Sequence, residues 1–555
     1  MLMQQRAEYD ADAPKTILEL QPFRVETRLR LPRPDGTMGV VTLTNLNPYV
    51  NTWYLLSLDG LGASRQFTYH LQSPRRHALR LLAGDTSNVR ITDESGMACT
   101  IWTGGGANAL DEAAASGLPY APVCGGQLYV RNVVTGHQTS LERMTDLLRD
   151  HVWSGDRVIA FVKHEFYQDA FLEKSTPARA AAPQPASTGA HLPAPATTEN
   201  FGHAIVAERL ALELETPAKE VLPGQWYPVR DLEGVSVSVI APEHLASAIR
   251  LGQEASVNRL DSVESAALVY LVAFDLERFD LHFALGTEHP RLGWSDRPPL
   301  SSRDPQLRGP DAVASAAPLV RNGMVSPGEI DRTIATFTGG FKREHGAFRY
   351  GPLAQRNHGS HYGFIEEGVL FSKLQPGLAT VLVMNDGAVN LKTWMPSDET
   401  QLARVRYARQ NGVPLIEFDA AHGTSMPGQF VNLWGPGNWS GSANEDLRTL
   451  RAGLCLQENG SQRFLIYAYF SSATPSAMAR VFQGYRCRYA MQSDINAPEH
   501  TYLALYVRRG QQHLIEHLVE GMQEVDHKAG NEVAPRFLAF PDNRDFFYIT
   551  PREGA

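Results

Sequence analysis

The sequence predicts an α+β protein in which a β-rich N-terminal domain precedes a separate C-terminal domain built on a mixed sheet. Short segments of alternating apolar and polar side chains fill residues 20–172, and this alternation is typical of half-buried strands. Longer and almost wholly apolar segments lie between residues 448 and 507. Such segments are typical of central strands that are covered on both faces.

The N-terminal domain is predicted to be a β sandwich or barrel over residues 20–172. Turn residues separate its strand candidates, which are residues 23–31, 40–46, 53–58, 67–71, 89–92, 99–103, 127–131 and 157–163. Thr139-Ser-Leu-Glu142 fits a capping box, in which a Thr caps a helix and a Glu three residues later supports it. We therefore expect a helix from Thr139 to about Val152.

Residues 173–200 are predicted to form a linker. This segment is dominated by Ala, Pro, Ser and Thr and has few large apolar side chains. It cannot bury enough apolar surface to offset its chain entropy, so a disordered or extended conformation is expected. The second domain then covers residues 201–555.

The C-terminal domain is predicted to contain a strand–helix–strand unit. Residues 454–456 and 464–470 are strand candidates joined at Asn459-Gly460, a common hairpin pair. Thr474 and Pro475 are typical first residues of a helix and Gly484 is a typical end, and residues 487–491 form the next strand. Other strand candidates are residues 235–240, 267–275, 281–285, 333–337, 379–384, 389–394 and 501–507.

Composition and charge exclude some classes of function. The formal net charge of −9 argues against nucleic acid as a partner, since binding to phosphate backbones needs a basic surface. No run of 18 apolar residues is present, so no transmembrane segment is predicted. The first residues, MLMQQRAEYDADAP, lack the basic and apolar regions of a signal peptide. The sequence predicts no cofactor and no particular oligomeric state.

The four cysteines form two pairs by position, Cys99 with Cys124 and Cys455 with Cys487. Disulfides within each pair would suit a periplasmic or secreted protein. Four buried free thiols are the alternative, and they would suit a cytoplasmic one.

The residues after the strand at 487–491 are the main candidates for a functional site. A strand–helix–strand crossover is usually parallel, and ligand sites of parallel sheets favour the carboxyl ends of the strands. Ser493-Asp-Ile-Asn-Ala-Pro-Glu-His500 would form a loop there, with Asp494, Asn496, Glu499 and His500 crowded together.

The region from Trp226 to Tyr548 resembles the phosphodiester glycosidase family, which includes the uncovering enzyme of mannose 6-phosphate. In that family the same succession of elements ends in an Asp-Gly-Gly-Gly-Ser loop. Asp494 matches the aspartate, whereas Ile495, Asn496 and Ala497 replace the glycines, a form that resembles a bacterial branch. Arg448 or Arg451 matches an arginine at the preceding strand entry.

A second matching segment is Thr338-Gly-Gly-Phe341, which is similar to the family's Asn-Gly-Gly-Phe segment. The resemblance implies a carbohydrate or glycosyl-phosphate substrate and hydrolysis through an oxocarbenium-like transition state. Arg448, Arg451 and the backbone of Gly339 and Gly340 would then hold the phosphate. Asp494 would be nucleophile or base, and Glu499 or His500 would move a proton.

Each of these residues also has a structural interpretation. Asp494 could cap backbone N–H groups, and Gly339-Gly340 could form a tight turn. His358 and His361 could contact a sugar or phosphate, or they could bind a metal with Asp419 and His422. Gly104-Gly-Gly106 is interpreted as a turn, and Trp434 and Trp439 suit either sugar stacking or core packing.

Three functions are therefore weighed. The first is a hydrolase that cleaves a glycosyl phosphodiester in a glycan, glycolipid or cell-wall polymer. The second is a non-catalytic carbohydrate-binding protein of exopolysaccharide or envelope assembly, which the altered glycine loop favours. The third is a metal-dependent hydrolase built on His358, His361 and His422.

Overall fold

The structure is a computed structural model of the 555-residue chain. It describes residues 2–13, 15–32, 36–59, 67–84, 88–103, 108–139, 142–143, 168–178, 191–199, 203–215, 219–288, 292–294, 300–309, 311–342, 362–421, 423–433, 445–529 and 532–553. Within these residues strands greatly outnumber helices, so the α+β prediction holds for its strands but overstates the helical part.

The N-terminal part is β-rich, as predicted. Its main sheet has six antiparallel strands in the order β1-β2-β3-β4-β9-β8, with bounds β1 Val25–Pro32, β2 Met38–Asn45, β3 Trp53–Asp59, β4 Phe67–Gln72, β8 Tyr120–Val123 and β9 Leu128–Arg131. A smaller sheet contains β5 Arg80–Ala83, β6 Val89–Thr92 and β7 Ala98–Trp102. Both sheets contribute to one hydrophobic cluster, which makes the arrangement sandwich-like.

Strand β3 is buried on both faces, because alternate side chains enter two different cores. Tyr54 and Leu56 pack in the N-terminal cluster, whereas Trp53 and Leu55 pack in the large cluster of the C-terminal part. The N-terminal sheet is therefore packed against the rest of the chain. The structure confirms that the N-terminal part is β-rich, but it does not confirm that this part is a separate domain.

The largest sheet has eight strands in the order β12-β13-β14-β25-β24-β26-β22-β23. Their bounds are β12 Trp226–Pro228, β13 Val235–Ile240, β14 Val269–Asp275, β22 Pro414–Asp419, β23 Thr424–Pro427, β24 Thr449–Asn459, β25 Gln462–Ala473 and β26 Cys487–Ile495. Every neighbouring pair is antiparallel. The predicted mixed sheet is wrong in this respect, because no neighbouring pair of this sheet is parallel.

Two five-stranded antiparallel sheets complete the main core. One has the order β15-β31-β16-β27-β28 and the other the order β18-β17-β21-β19-β20. Their bounds are β15 Phe279–Ala284, β16 Ala335–Thr338, β17 Phe364–Glu366, β18 Val369–Ser372, β19 Ala379–Met384, β20 Val389–Thr393, β21 Val405–Gln410, β27 Leu503–Arg509, β28 Gln512–His517 and β31 Phe546–Pro551. Two-stranded ribbons are formed by β10 Ile205–Val206 with β11 Glu220–Val221, and by β29 His527–Ala529 with β30 Glu532–Ala534.

The α-helices among the described residues are short. They are α1 Leu2–Asp12, α2 Ala109–Ala115, α3 Ser247–Arg250, α4 Ser262–Ala266, α5 Pro327–Ile330 and α6 Pro475–Gly484. Among the described residues no helix is long and apolar enough to cross a membrane.

The predicted strand–helix–strand unit is present as β25, α6 and β26. Both strands are antiparallel to β24, which lies between them, so they run parallel to each other. Thr474 caps α6 by accepting a hydrogen bond from the N–H of Ala477. Strand β26 continues to Ile495 instead of ending at Met491. Asp494 is therefore the penultimate residue of a strand and does not lie in the loop beyond it.

Both cysteine pairs form disulfides, Cys99–Cys124 and Cys455–Cys487. The second joins β24 to the start of β26 inside the main core. Two disulfides are typical of proteins outside the cytoplasm.

Of the predicted linker, residues 191–199 are extended and packed on the C-terminal part. The N–H of Ala194 donates to Gln457 Oε1 (2.8 Å), and Trp226 Nε1 donates to the Ala194 carbonyl (3.0 Å). Residues 179–190 lie outside the described residues, and so do most of the helix predicted after Thr139, the strand predicted at 157–163 and Gly104 to Gly106.

Candidate functional site

Asp494 lies at the end of β26, and hydrogen bonds from neighbouring elements fix this strand end. Asn411 follows β21 and is fully buried. Its Nδ2 donates to the carbonyl oxygens of Gln492 (2.5 Å) and Ser493 (2.6 Å). Asp494 Oδ1 accepts from the N–H of Ile495 (2.8 Å). The second carboxylate oxygen is thereby directed away from the strand.

Arg544 joins two carboxylates that are 352 positions apart in the chain. Its Nη1 donates to Asp494 Oδ2 (2.6 Å), and its Nε donates to Glu142 Oε1 (2.5 Å). All three side chains are buried. One guanidinium presents several donors in a fixed plane, so it holds both acids in a defined relation.

Two further groups surround Glu142. Lys342 Nζ lies 4.0 Å from Glu142 Oε1, and His500 Nε2 lies 3.7 Å from the same oxygen. Lys342 follows the Gly339-Gly340-Phe341 segment after β16, and His500 lies in the loop before β27. We call Asp494, Arg544, Glu142, Lys342 and His500 the acid–cation cluster.

The cluster keeps Glu142 ionised. Burial opposes ionisation, but Arg544, His500 and Lys342 outweigh it and hold the pKa of Glu142 well below its usual range. Burial also opposes the charge of Arg544, and the carboxylates of Glu142 and Asp494 overcome this and raise the pKa of Arg544. The charges therefore stabilise each other in a site of low polarisability.

Hydrogen bonds from buried arginines hold the loop that carries Arg544, residues 541–545. Asp542 receives two hydrogen bonds from the buried Arg536 (2.7 and 3.0 Å) and one from the N–H of Arg544 (2.9 Å). Asp545 accepts from Arg409 Nε (2.7 Å). These pairs leave Arg544 little freedom to move.

Gly339 and Gly340 allow this close packing. A Cβ at Gly339 would stand 2.6 Å from Asp545 Oδ2, and one at Gly340 would stand 2.7 Å from Arg409 Nη1. Gly340 also has a φ of +136°, a conformation that few other residues adopt. Gly339 thus packs against Asp545, the residue after Arg544, and Gly340 packs against Arg409.

Arg448 and Arg451 are occupied by protein partners. Arg448 pairs with Asp169 (2.8 Å) and Asp261 (2.5 Å) at the start of β24. Arg451 is buried and donates to the carbonyls of Ala473 (2.7 Å) and Leu447 (2.8 Å) and to Gln492 Oε1 (3.1 Å). Burial lowers the pKa of Arg451 to about 9, which suits a structural role more than a role in binding phosphate.

The remaining predicted residues have different surroundings. Asn496 has a φ of +81° and accepts from Thr449 Oγ1 (3.0 Å), and Asn tolerates the left-handed conformation better than most residues. It therefore makes the turn that follows β26. The Glu499 carbonyl accepts from Arg536 Nη1 (2.7 Å), so a backbone atom ties Glu499 to this region. His358, His361, His422, Trp434 and Trp439 lie outside the described residues.

Sequence reasoning missed Glu142, Arg544 and Lys342 as members of the site. Glu142 was assigned to a helix start, and Thr139 Oγ1 does accept from its N–H (3.2 Å). Arg544 belongs to Asp-Asn-Arg-Asp545, a charged segment directly before a buried strand. Charged residues next to a buried apolar strand are a signal that could have identified Arg544.

Within the described part of the chain, no group of three His, Cys, Asp or Glu side chains is arranged to hold a metal ion. In the acid–cation cluster Arg544 lies between the two carboxylates, in the position that a metal ion would need.

No family model and no curated protein matches the chain. Similar solved structures include the catalytic domain of zebrafish N-acetylglucosamine-1-phosphodiester α-N-acetylglucosaminidase, auto-inhibited by its pro-peptide, with 9% identity over 58% of this chain and 85% of that chain and a TM-score of 0.30. A second is a putative exported protein from Burkholderia pseudomallei, with 10% identity over 51% of this chain and 74% of that chain and a TM-score of 0.22. A third is a hypothetical protein from Synechocystis, with 10% identity over 93% of this chain and 98% of that chain and a TM-score of 0.23. Likeness at this level assigns neither a family nor an activity.

Proposed function

We propose that the protein is a hydrolase that cleaves a glycosyl phosphodiester in a glycan, a glycolipid or a cell-wall polymer, with the acid–cation cluster as its centre. The observation that carries the proposal is the bridge from Arg544 to Asp494 and Glu142, with Lys342 and His500 beside it. Carboxylates and cations in one buried place are what glycosyl transfer from a phosphate requires.

The chemistry assigns roles to these groups. Cleavage breaks the bond between the anomeric carbon and the phosphate oxygen, and water supplies the new hydroxyl group. Asp494 either attacks the anomeric carbon as nucleophile and forms a glycosyl–enzyme that water then hydrolyses, or acts as the base on the water that attacks this carbon. Arg544 and Lys342 stabilise the leaving phosphate, which needs less protonation than an alcohol. His500 carries the proton that the attacking water loses.

The disulfides support a substrate outside the cytoplasm. Cys99–Cys124 and Cys455–Cys487 are both formed, and such bonds persist in oxidising compartments. Surface glycans and cell-wall polymers occur in those compartments.

The test is turnover of an α-N-acetylglucosaminyl phosphodiester by the purified protein. We expect release of the sugar, and we expect Asp494→Asn to reduce kcat by at least about a hundredfold, as loss of a catalytic acid or base does. Glu458→Gln serves as the matched control, because Glu458 pairs with Arg488 on a partly exposed surface. Equal kcat for Asp494→Asn and the wild-type protein would exclude Asp494 from catalysis.

A non-catalytic carbohydrate-binding protein is the second candidate. It is favoured by the saturation of Asp494, whose two oxygens accept from Ile495 N–H and Arg544. A carboxylate held in this way suits a rigid binding surface. Binding on a glycan array without turnover of any glycosyl phosphodiester would favour this function over hydrolysis.

A further inference from the structure

Asn411 makes every hydrogen bond that its side-chain amide can make. It lies directly after β21 and is fully buried. Its Nδ2 donates to the carbonyl oxygens of Gln492 (2.5 Å) and Ser493 (2.6 Å). Its Oδ1 accepts from Arg409 Nη1 (2.7 Å) and from the N–H of Phe341 (3.2 Å). An amide carries two donor hydrogens and two acceptor positions, so all four are used.

Two of these partners stand directly before members of the acid–cation cluster in the chain. Ser493 precedes Asp494, and Phe341 precedes Lys342. The nitrogen of one planar amide therefore holds the segment of a carboxylate, and its oxygen holds the segment of a cation. A shift of either segment relative to the other would break at least one of the hydrogen bonds of Asn411.

Arg409 extends this arrangement to the loop that carries Arg544. Its Nε donates to Asp545 Oδ2 (2.7 Å), and Asp545 directly follows Arg544. Its Nη2 donates to the Phe341 carbonyl (2.7 Å). Arg409 and Asp545 are both fully buried, and a hydrogen bond between two charged groups is stronger than one between neutral groups. Through Arg409, Asn411 is therefore connected to a third segment of the cluster.

Packing fixes Asn411 itself in place. A Cβ at Gly340 would stand 3.1 Å from Asn411 Cγ and 2.7 Å from Arg409 Nη1, so backbone passes directly over the hydrogen-bonded pair. The N–H of Asn411 donates to the Ala379 carbonyl (2.9 Å) at the start of β19. A group that orients a reacting side chain has to be rigid, because reacting groups must be placed to within about 0.5 Å. Asn411 meets this condition.

We propose that Asn411 is a positioning residue of the acid–cation cluster and that it fixes Asp494 in place beside Arg544. This inference rests on the proposed function, in which Asp494 acts at the anomeric carbon. All four hydrogen bonds of the Asn411 amide go to the partners named above, so it acts on Asp494 through the Ser493 backbone. Rates depend steeply on the placement of a reacting group, and Asn411 therefore contributes to the chemical step without taking part in it.

Asn411→Asp tests this with almost no change in size. The carboxylate keeps an oxygen for Arg409 and for the Phe341 N–H, but its second oxygen faces two carbonyl oxygens and cannot donate to them as Nδ2 does. We expect the end of β26 to be displaced. For the α-N-acetylglucosaminyl phosphodiester, kcat per mole of folded protein should then fall about a hundredfold, with KM unchanged because the Lys342 segment keeps its hydrogen bond.

Asn459→Asp is the matched control. Asn459 is exposed at the end of β24, so the same chemical change is made at the surface, and kcat should equal that of the wild-type protein. A purely structural role of Asn411 would lower the melting temperature of Asn411→Asp without lowering kcat per mole of folded protein. Equal kcat in Asn411→Asp and the wild-type protein would therefore overturn the inference.

Melting temperatures provide a measurement that does not depend on turnover. Asn411→Ala introduces no buried charge, and it is combined with Asp494→Asn in a double variant of the full-length chain. Where Asn411 holds Asp494 against Arg544, part of the effect of Asn411→Ala is loss of that contact. The melting temperature of the double variant should then fall by less than the sum of the two single falls, as expected for residues of one network. Additive falls would overturn the inference.

The two measurements distinguish this inference from the proposed function. A wild-type protein that releases no sugar from the phosphodiester loses the hydrolase, and the melting temperatures then decide the role of Asn411 alone. A wild-type protein that releases sugar while the falls in melting temperature are additive retains the hydrolase and loses the inference. Asn411→Ala also replaces Asn411→Asp in the kinetic comparison if the buried charge prevents folding.

Discussion

Glu142 illustrates how a local motif and a tertiary partner use different atoms of one residue. Its backbone N–H donates to Thr139 Oγ1 (3.2 Å), which is one of the hydrogen bonds of the predicted capping box. Its carboxylate contacts Arg544, Lys342 and His500. A buried cation stabilises a carboxylate more than a helix-capping hydrogen bond does. The residues next to Glu142 in the sequence do not indicate these partners, which lie hundreds of positions away.

Replacement of Arg544 should destabilise the fold strongly. Arg544→Met removes the shared cation and leaves Asp494 and Glu142 buried without it. We expect the free energy of unfolding to fall by about 3–5 kcal/mol, as measured by chemical denaturation. Arg230→Met is the control, because Arg230 forms a largely exposed pair with Glu213, and its effect should stay below about 1 kcal/mol. Equal losses in the two variants would show that the bridge contributes nothing special.

Glu366 should make stability depend on pH. Burial raises its pKa to about 8, although Arg131 and the hydrogen bond from the Leu285 N–H oppose this. The folded protein then holds a proton that the unfolded chain, with a pKa near 4.5, releases. Between these two values each rise of one pH unit should cost the wild-type protein up to about 1.4 kcal/mol.

Glu366→Gln removes this dependence, since the amide is neutral at every pH. We expect the variant to gain stability over the wild-type protein as the pH rises from 5 to 8, and the difference to level off above about pH 8. Urea denaturation at several pH values measures the difference. A difference that stays constant across this range would contradict the prediction.

The loop at residues 541–545 is a structural element made possible by glycines of other segments. A Cβ at Gly136 would stand 2.5 Å from the Asp542 carbonyl carbon, one at Gly286 would stand 2.2 Å from the Asn543 oxygen and one at Gly323 would stand 2.0 Å from the Asp542 oxygen. Backbone atoms cannot yield as flexible side chains do. The close packing that these three glycines allow therefore holds the backbone of the loop that carries Arg544.

Gly286→Ala should displace this loop. We expect a loss of about 2–4 kcal/mol in unfolding free energy, the range of severe overpacking, together with loss of glycosyl phosphodiester turnover. Gly328→Ala is the matched control, because a Cβ there meets its nearest neighbour at 3.6 Å, an ordinary contact distance. Retention of full stability and turnover in Gly286→Ala would show that the loop tolerates movement.

Strand β26 shows why the end of an element is hard to predict. Gln492, Ser493 and Asp494 are polar, so the pattern ended the strand at Met491, yet these residues continue it and are buried. Asn411 and Arg451 provide the hydrogen bonds that make burial of this polar segment favourable. Both partners belong to other strands or connections of the sheets.

The Cys455–Cys487 disulfide should stabilise the whole molecule, because it joins two strands of the main core. Replacement of both cysteines by Ala should lower the unfolding free energy by about 2–4 kcal/mol, as measured by urea denaturation without reductant. The Cys99→Ala/Cys124→Ala variant is the companion, since a reducing agent then acts on Cys455–Cys487 alone. Equal stability of this companion with and without reductant would contradict the prediction.

The sequence by itself predicted most of the strands, the cap of α6 at Thr474 and which cysteine would pair with which if disulfides form, whereas the structure shows that both disulfides are formed. These features follow from local rules, namely period-two alternation, capping chemistry and the spacing of four cysteines. It also directed attention to Asp494 and His500, because polar residues after a buried apolar strand are exceptional.

Only the tertiary structure decided which groups surround Asp494. Three distant segments supply these groups, which are Arg544, Glu142 and Lys342. Arg448 is not among them, because it pairs with Asp169 and Asp261. The antiparallel order of the sheets and the burial of β3 on both faces were decided in the same way. The physical reason is that charge pairing and packing depend on distance in space, which local sequence patterns do not encode.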